Sequence, residues 1–418
     1  MKMSISMEMA EDAGENIVIV GGGICGLATA LALHRKGIRS LVLERSESLR
    51  ASGAAIILHA NGWRALDQLG VASYLRQTSI PILSKDELRC VKRTDLMNIL
   101  ADNLPQNTVR FGCYVLSIEL DPITSSPVLK LQDGTSLNAK IHCSISSILV
   151  PANVLKPYYH NLFSPTNMWS MNQVVIGCDG VNSTISYILG VRATNTFNIC
   201  VARGFTIYPS GHEFGSEFNM AKKDDVQVGL IPLTTNLVYW FVTGKYISQK
   251  TEFKISESKK LIADMAAASV KDFPSSIQEM IENCSQESLH FSEYLRYQAP
   301  WDLLRSRRFR VGTVTVAGDA LHAMAPFIAQ GGAASLEDAV VLAWCLARKT
   351  NFGNPSGIVS EKMVEEALDE YLKERKPRVL RLSLQSYLIG KMHDTSSKLV
   401  KFIYIVFMVI IFYDSHRH

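Results

Sequence analysis

The regular apolar pattern begins at Ile17. Ile17-Val18-Ile19-Val20 is a short continuous run of the kind buried on both faces of a parallel sheet, and three glycines follow it at once. Residues 27–36 have helical composition, Gly37 can end that helix, and residues 40–43 make a second buried strand, so the chain opens as a βαβ unit. Residues 95–104 read as a helix, while residues 128–131 and 136–139 flank Asp133-Gly134, a hairpin signal. Val174-Val175-Ile176 and Val314-Thr315-Val316-Ala317 are two more apolar strands, each running into a turn of glycine and aspartate. Residues 199–242 alternate and are rich in Val, Ile, Phe, Tyr and Trp, which predicts an antiparallel sheet separate from the parallel one. Helices dominate from Gly332 onward.

Two stretches break this pattern. Residues 141–172 show no clear period and hold Pro151, Pro157 and Pro165 among many Ser and Asn, an uncommon length of irregular chain for a compact domain. Residues 402–413 form an apolar run too short for the ~20 residues of a spanning helix. That run reads either as a packed C-terminal helix or as a peripheral membrane contact.

A chain of 418 residues implies two or three domains at ~150 residues each. With 47% hydrophobic and 20% charged residues it is not a disordered or collagen-like chain. Its net charge of +4, without a polybasic run, argues against a nucleic-acid partner. The 8 cysteines are scattered singly, with no C-x-x-C pair and no Cys/His cluster at ligand spacing, so no metal site is expected and a reducing, cytoplasmic setting fits. H-E-x-x-H and G-x-S-x-G motifs are both missing, which removes the zinc-hydrolase and serine-esterase readings. Asn182-Ser183-Thr184 and Asn283-Cys284-Ser285 are read as chance glycosylation matches, because no secretory signal precedes them.

The candidate chemistry starts at Gly21-Gly22-Gly23-Ile24-Cys25-Gly26, a G-x-G-x-x-G between a buried strand and a helix, with Glu44 ending the next strand. Gly21 permits the tight turn, Gly23 lets backbone N–H groups approach a pyrophosphate, and Gly26 allows close helix-to-strand contact. Glu44 can accept hydrogen bonds from ribose hydroxyls. This motif alone does not separate NAD from FAD. A second strand-to-turn segment is Gly177-Cys178-Asp179-Gly180, and a third is Gly318-Asp319-Ala320-Leu321-His322, followed by Gln330-Gly331-Gly332 and a helix. Gly331 and Gly332 would present unpaired N–H groups and the positive helix end to an anionic group.

With these three motifs in this order, the chain resembles the FAD-dependent aromatic monooxygenases, a family that includes p-hydroxybenzoate hydroxylase and urate hydroxylase, and most closely its plant monooxygenase-like branch. The resemblance covers about residues 16–140 and 173–388. It implies that Gly21, Gly23, Gly26 and Glu44 bind the ADP half of FAD, that Arg93 reaches back to the cofactor, and that Asp319 holds the ribityl chain. It links Asp179 to both FAD and NAD(P)H, and it places Arg203, in Ala202-Arg203-Gly204-Phe205, near the flavin ring as a substrate-positioning residue. His322 occupies a family position but reads as an ordinary packed histidine, not a base. The implied reaction takes NADPH or NADH and O2, forms a flavin C4a-hydroperoxide, and hydroxylates an aromatic or heterocyclic small molecule.

The chain departs from the family pattern at Ser186, where an arginine is usual, at Ala323 after His322, and at Ala329, where a glycine is usual. A flavin reductase or dehydrogenase on the same scaffold, and a non-catalytic flavin-binding-like chain impaired by residues 141–172, remain as alternatives. The expected fold is α/β, α+β overall. Residues 16–80, 92–140, 173–195 and 310–350 would form a discontinuous Rossmann-like FAD-binding domain, and residues 81–91 and 196–309 an inserted antiparallel-sheet substrate domain. Residues 1–15 would be a disordered leader, 141–172 an atypical insertion, and 351–418 a C-terminal helical region ending in the apolar tail.

Overall fold

The computed structural model describes residues 17–49, 55–79, 81–83, 87–120, 127–138, 174–191, 194–245, 258–305, 309–350, 359–395 and 397–412. The expected leader and the segment 141–172 lie outside them, as does Tyr413.

The first apolar run becomes the strand Ile17–Val20, without solvent on either face. It pairs in parallel with Val174–Gly177 on one side and Leu41–Leu43 on the other. Val314–Val316 and Val109–Arg110 extend the sheet in parallel, and the short antiparallel strand Arg310–Val311 closes one edge. The helices Ile24–His34 and Gly331–Lys349 pack together beside this sheet, and their small residues Ala28, Ala32, Ala339 and Ala343 permit the close approach. Two helices start or end apart from the sequence reading. The first begins at Ile24 instead of residue 27, because the glycine turn ends abruptly enough for the helix to start inside the motif. The helix Arg93–Asp102 starts two residues early, which makes Arg93 its first residue.

The second sheet is antiparallel throughout, in the order Asn219–Lys223, Val226–Thr234, Leu237–Lys245, Ile199–Ile207, His290–Ser292. Alternation along its strands sorts the side chains by face. Val238, Trp240 and Val242 join Ala202 in a core beneath the helices Lys259–Ser269 and Ser275–Glu282. Tyr239 and Phe241 point the other way, as do Val201 and Arg203. A third sheet of Ala55–Leu58, Leu88–Lys92 and Pro81–Leu83 closes over that face, where Ile82 and Cys90 pack on Ile231, Leu233 and Tyr239. The result is a mixed α/β molecule with a Rossmann-like parallel sheet and separate antiparallel sheets, and the space between them is the candidate site.

The helix Glu361–Asp394 spans 34 residues and is pinned to the Rossmann-like part through buried Val364, Leu368, Tyr371 and Arg375. The next helix, Lys398–Phe412, contains most of the apolar tail, and here the packed-helix reading needs correction. Leu399, Phe402, Phe407 and Ile410 are all exposed, because only a narrow side of this helix meets the body of the protein. Among the described residues no helix is long and apolar enough to cross a membrane.

Candidate active site

Two adjoining cavities share Gly23, Arg93, Cys178 and Gly180 in their walls. The smaller, about 180 Å³, lies at the C-terminal ends of the parallel strands and is bounded by the glycine turn, Glu44, Arg45, Asp179 and Asn182. The three motif glycines have different surroundings. Gly21 has φ +106°, and a Cβ there would stand 2.5 Å from the Cys178 carbonyl oxygen. A Cβ on Gly26 would lie 1.9 Å from the carbonyl oxygen of Gly21. A Cβ on Gly23 would meet nothing within 4 Å and would project into the cavity. Gly21 and Gly26 are therefore glycines for the turn's own sake, whereas Gly23 leaves space for something that approaches the backbone. Glu44 is already oriented there, since its Oε2 accepts from the Gly22 N–H at 2.7 Å and its Oε1 from the Ser46 N–H at 2.9 Å.

Asp179 holds the opposite wall by capping the short helix Thr184–Ile188. Its carboxylate accepts from the Ser183 hydroxyl and from the Thr184 N–H at 2.7 Å. Burial pushes the Asp179 carboxyl above its usual value, and the hydrogen bond from Ser183 opposes that shift. Ser186, standing where the family pattern has an arginine, donates to the Ala320 carbonyl and ties this turn to the Gly318-Asp319 segment. Cys25 and Cys178 meet under the turn. The hydrogen bond between them and burial push the Cys25 thiol well above its ordinary value, which leaves it no nucleophile.

The larger cavity, about 620 Å³, runs from Gly23 and Asp319 to the face of the antiparallel sheet. Ala55, Ile56 and Ile57 form one wall, and Ile199, Val201, Phe218 and Phe241 another. Asp319 opens onto this cavity although it lies deep in the protein. Its desolvated setting raises the carboxyl pKa, with the charges of His322 and Arg93 opposing. Gly331 and Gly332, the first residues of a 19-residue helix, also face the cavity, so the positive end of that helix points into it. Arg203 stands beside Tyr239, whose hydroxyl is pushed up to about 12 by burial against the opposing charge of Arg203. The Arg203 Nε is buried and has no hydrogen-bond partner. His290, paired with Arg203 across the strands, is held below its ordinary pKa by burial and then by the charges of Lys259, Arg203 and Arg93. The wall around Arg203 is thus electropositive.

The structure brings Gly23, Arg93, Asp319, Gly331, Gly332 and Arg203 to one cavity, and Gly21, Gly23, Glu44, Arg93 and Asp179 to the other. Gly26 stays behind the turn as a packing residue. His322 is fully buried and bonded to Asp338 at 2.7 Å, a structural placement. Sequence reasoning missed the network beyond it. Asp338 also accepts from the Gly318 N–H at 2.8 Å and from Arg375 Nε at 2.6 Å, and Arg375 binds Glu337 at 2.6 Å. Glu337 in turn accepts from Asn61 at 2.7 Å. Adjacent acids on an apolar helix were the available signal, but their partner Arg375 is distant in sequence. Tyr239 and Phe241 were missed as individual wall residues for a simpler reason, since aromatic residues on a strand look alike on either face.

The pattern of a family described as an FAD binding domain matches residues 15–128 and 172–386. Among curated proteins, the chain is 42% identical to Monooxygenase 1 of Arabidopsis thaliana over 96% of this chain and 97% of that one. It is 34% identical to Monooxygenase 2 of the same plant, over 93% and 92% of the two chains. Among solved structures, Klebsiella pneumoniae HpxO complexed with FAD and uric acid has the same fold, with a TM-score of 0.69 at 20% identity over 93% of this chain and 91% of that one.

Proposed function

Because the chain belongs to the FAD binding domain family, we propose that it works as an FAD-dependent monooxygenase that consumes NAD(P)H and O2 and hydroxylates an aromatic or heterocyclic small molecule. The observation that carries this reading is the junction of the two cavities at Gly23, Arg93, Cys178 and Gly180. There the slot beside the glycine turn and Glu44 opens directly into the larger chamber, whose apolar walls also carry Arg203.

The residues present fit FAD. Gly23 leaves the approach to the backbone open, the Glu44 carboxylate is held where ribose hydroxyls would donate to it, and Asp319 lines the larger cavity. Bound FAD would supply the redox chemistry that activates O2. The chain's own part is positioning and electrostatics. The Gly22 and Gly23 turn and the start of the Ile24–His34 helix favour phosphate charge, and the Gly331 helix end favours negative charge in the larger cavity. The Arg203 guanidinium, with the Tyr239 hydroxyl beside it, would hold the polar edge of a substrate whose ring lies against Val201, Phe218 and Phe241. The apolar walls keep water from the reacting atoms. Uric acid in the HpxO complex is consistent with a flat, polar-edged ring in such a chamber. Peripheral membrane contact through the C-terminal helix belongs to the same reading.

Three measurements test it. The purified protein should show flavin absorbance, should oxidise NADPH or NADH faster with substrate and O2 than without, and should give a product carrying one atom of labelled O2. Nicotinamide oxidation that continues without O2 would replace the proposal with a reductase, and a protein without flavin would leave only a flavin-binding-like chain.

A further inference from the structure

The helix Lys398–Phe412 exposes Phe402, Ile403, Ile405, Val406, Phe407, Val409 and Ile410, with Ile410 at 72% and Phe402 at 61%. At about 3.6 residues per turn these positions cover more than half the circumference, and none is charged. Tyr404 and Met408 occupy the remaining side, toward the body. An apolar arc this wide exceeds the ~100° stripe that a helix buries in a partner's groove. Its 15 residues amount to about 22 Å, short of the ~30 Å hydrocarbon core but enough to enter one leaflet.

The body of the protein adds exposed apolar side chains on a helix that packs against the same long helix Glu361–Asp394 as the tail helix does. Trp301 and Leu304, three apart on the helix Pro300–Arg305, are 40% and 65% exposed, and Trp301 stands edge-on to Tyr387 at 5.1 Å. Tyr387 belongs to the long helix Glu361–Asp394, against which both Pro300–Arg305 and Lys398–Phe412 pack. Tryptophan and tyrosine favour the headgroup level of a bilayer. Lys398 and Lys401 open the tail helix, and Lys401, Lys222 and His393 line the mouth of the larger cavity. Of the acids nearby, Asp225 is paired with Lys245 and Asp394 with Lys391, while Asp224 shares the mouth.

We propose that the helix Lys398–Phe412, with Trp301 and Leu304, docks on an anionic bilayer, its apolar arc sunk in one leaflet and the mouth of the larger cavity at the headgroups. A substrate would then enter from the membrane. The chemistry selected is amphiphilic, with an apolar ring system suited to the chamber and one polar or acidic edge for Arg203. The docking stands on exposed side chains alone, and only the entry route rests on the monooxygenase reading.

The test uses the full flavin-loaded chain and vesicles of phosphatidylcholine with phosphatidylserine, beside vesicles of phosphatidylcholine only. The wild-type protein should sediment with the mixed vesicles and less with the neutral ones. The triple variant Phe402→Ser, Phe407→Ser, Ile410→Ser should lose roughly a thousandfold in partitioning, at about tenfold for each apolar side chain withdrawn. Its flavin content and melting temperature should match the wild type, since all three side chains face solvent. Equal sedimentation of variant and wild type, or a wild-type protein that stays in the supernatant, overturns the proposal. So does self-association in the ultracentrifuge that the variant abolishes while vesicles bind neither form, which assigns the surface to a second copy of the chain. Absence of flavin with vesicle binding intact would remove the monooxygenase reading and leave the docking in place.

Discussion

Gly23 and Gly26 lie three residues apart in one turn and meet opposite surroundings. A side chain at Gly26 collides with the Gly21 carbonyl, so Gly26→Ala should destabilise the fold by about 1 to 3 kcal/mol, read as a lower melting temperature. A side chain at Gly23 finds open space, so Gly23→Val should fold with nearly unchanged stability and yet bind little FAD. Full flavin loading in that variant would sink the assignment of the smaller cavity. Ala329 makes the converse case, holding φ +51° in the left-handed region where an alanine is strained by roughly 1 to 2 kcal/mol. Ala329→Gly should therefore stabilise the protein by up to about 1 kcal/mol once the added freedom of the unfolded chain is subtracted. Denaturant melts of the two proteins decide it. At the far wall, Arg203→Ala should leave FAD bound and lower substrate-dependent turnover by about tenfold or more, the expected loss for one charged hydrogen-bond donor. Equal loss of flavin from Arg203→Ala and Asp319→Ala would make Arg203 a structural residue.

At the scale of elements, a chain of buried charge crosses from the helix Gly331–Lys349 to the helix Glu361–Asp394. Removing one partner leaves the other charge buried and unpaired, so Asp338→Ala should cost about 3 to 5 kcal/mol, far more than any exposed pair in the molecule. The same network sets a pH dependence. Burial alone would raise the Asp338 carboxyl, but His322 and Arg375 hold it down at about 2, below its unfolded value. Its contribution is present above the unfolded carboxylate pKa and is lost as pH falls through about 2. Burial lowers the His322 pKa, yet Asp338 outweighs it and the net shift is upward. His322 therefore stabilises below its unfolded pKa, and that contribution is lost as pH rises through the folded one. Melting temperatures across both ranges should show the two limbs, and His322→Gln should flatten the alkaline one. These elements were legible in the sequence to different degrees. The βαβ opening was readable because Ile17–Val20 and Leu41–Leu43 are apolar on both faces, which only a covered parallel sheet tolerates. The clustering of Gly21, Gly23 and Glu44 at one cavity was readable because the turn requires those residue types at fixed spacing. The Asp338–Arg375 pair joins positions 37 residues apart on two helices, and no local pattern announces such a contact.

At the scale of the whole molecule, the family match runs over residues 15–128, stops, and resumes at 172. The structure narrows that gap. Pro127–Leu131 and Ser136–Asn138 still pair in the hairpin sheet with Val115–Leu120, so the chain is part of the fold as far as residue 138. On the other side Val174 is already fully buried at the start of a central strand paired with Ile17–Val20. The residues between these ends, read from sequence as lacking any apolar period, lie outside the described residues. The described core contains both ends, and the glycine turn, Glu44, Asp319 and Arg203 all reach the cavities from elements outside this interval. Joining Lys140 to Gln173 should accordingly keep flavin content and melting temperature within experimental error of the full chain and raise the soluble yield. Limited proteolysis of the full chain should cut first inside this interval, with the flavin retained on the nicked protein. A shortened chain that fails to fold, together with resistance of the interval to protease, would show instead that the segment is a working part of the molecule.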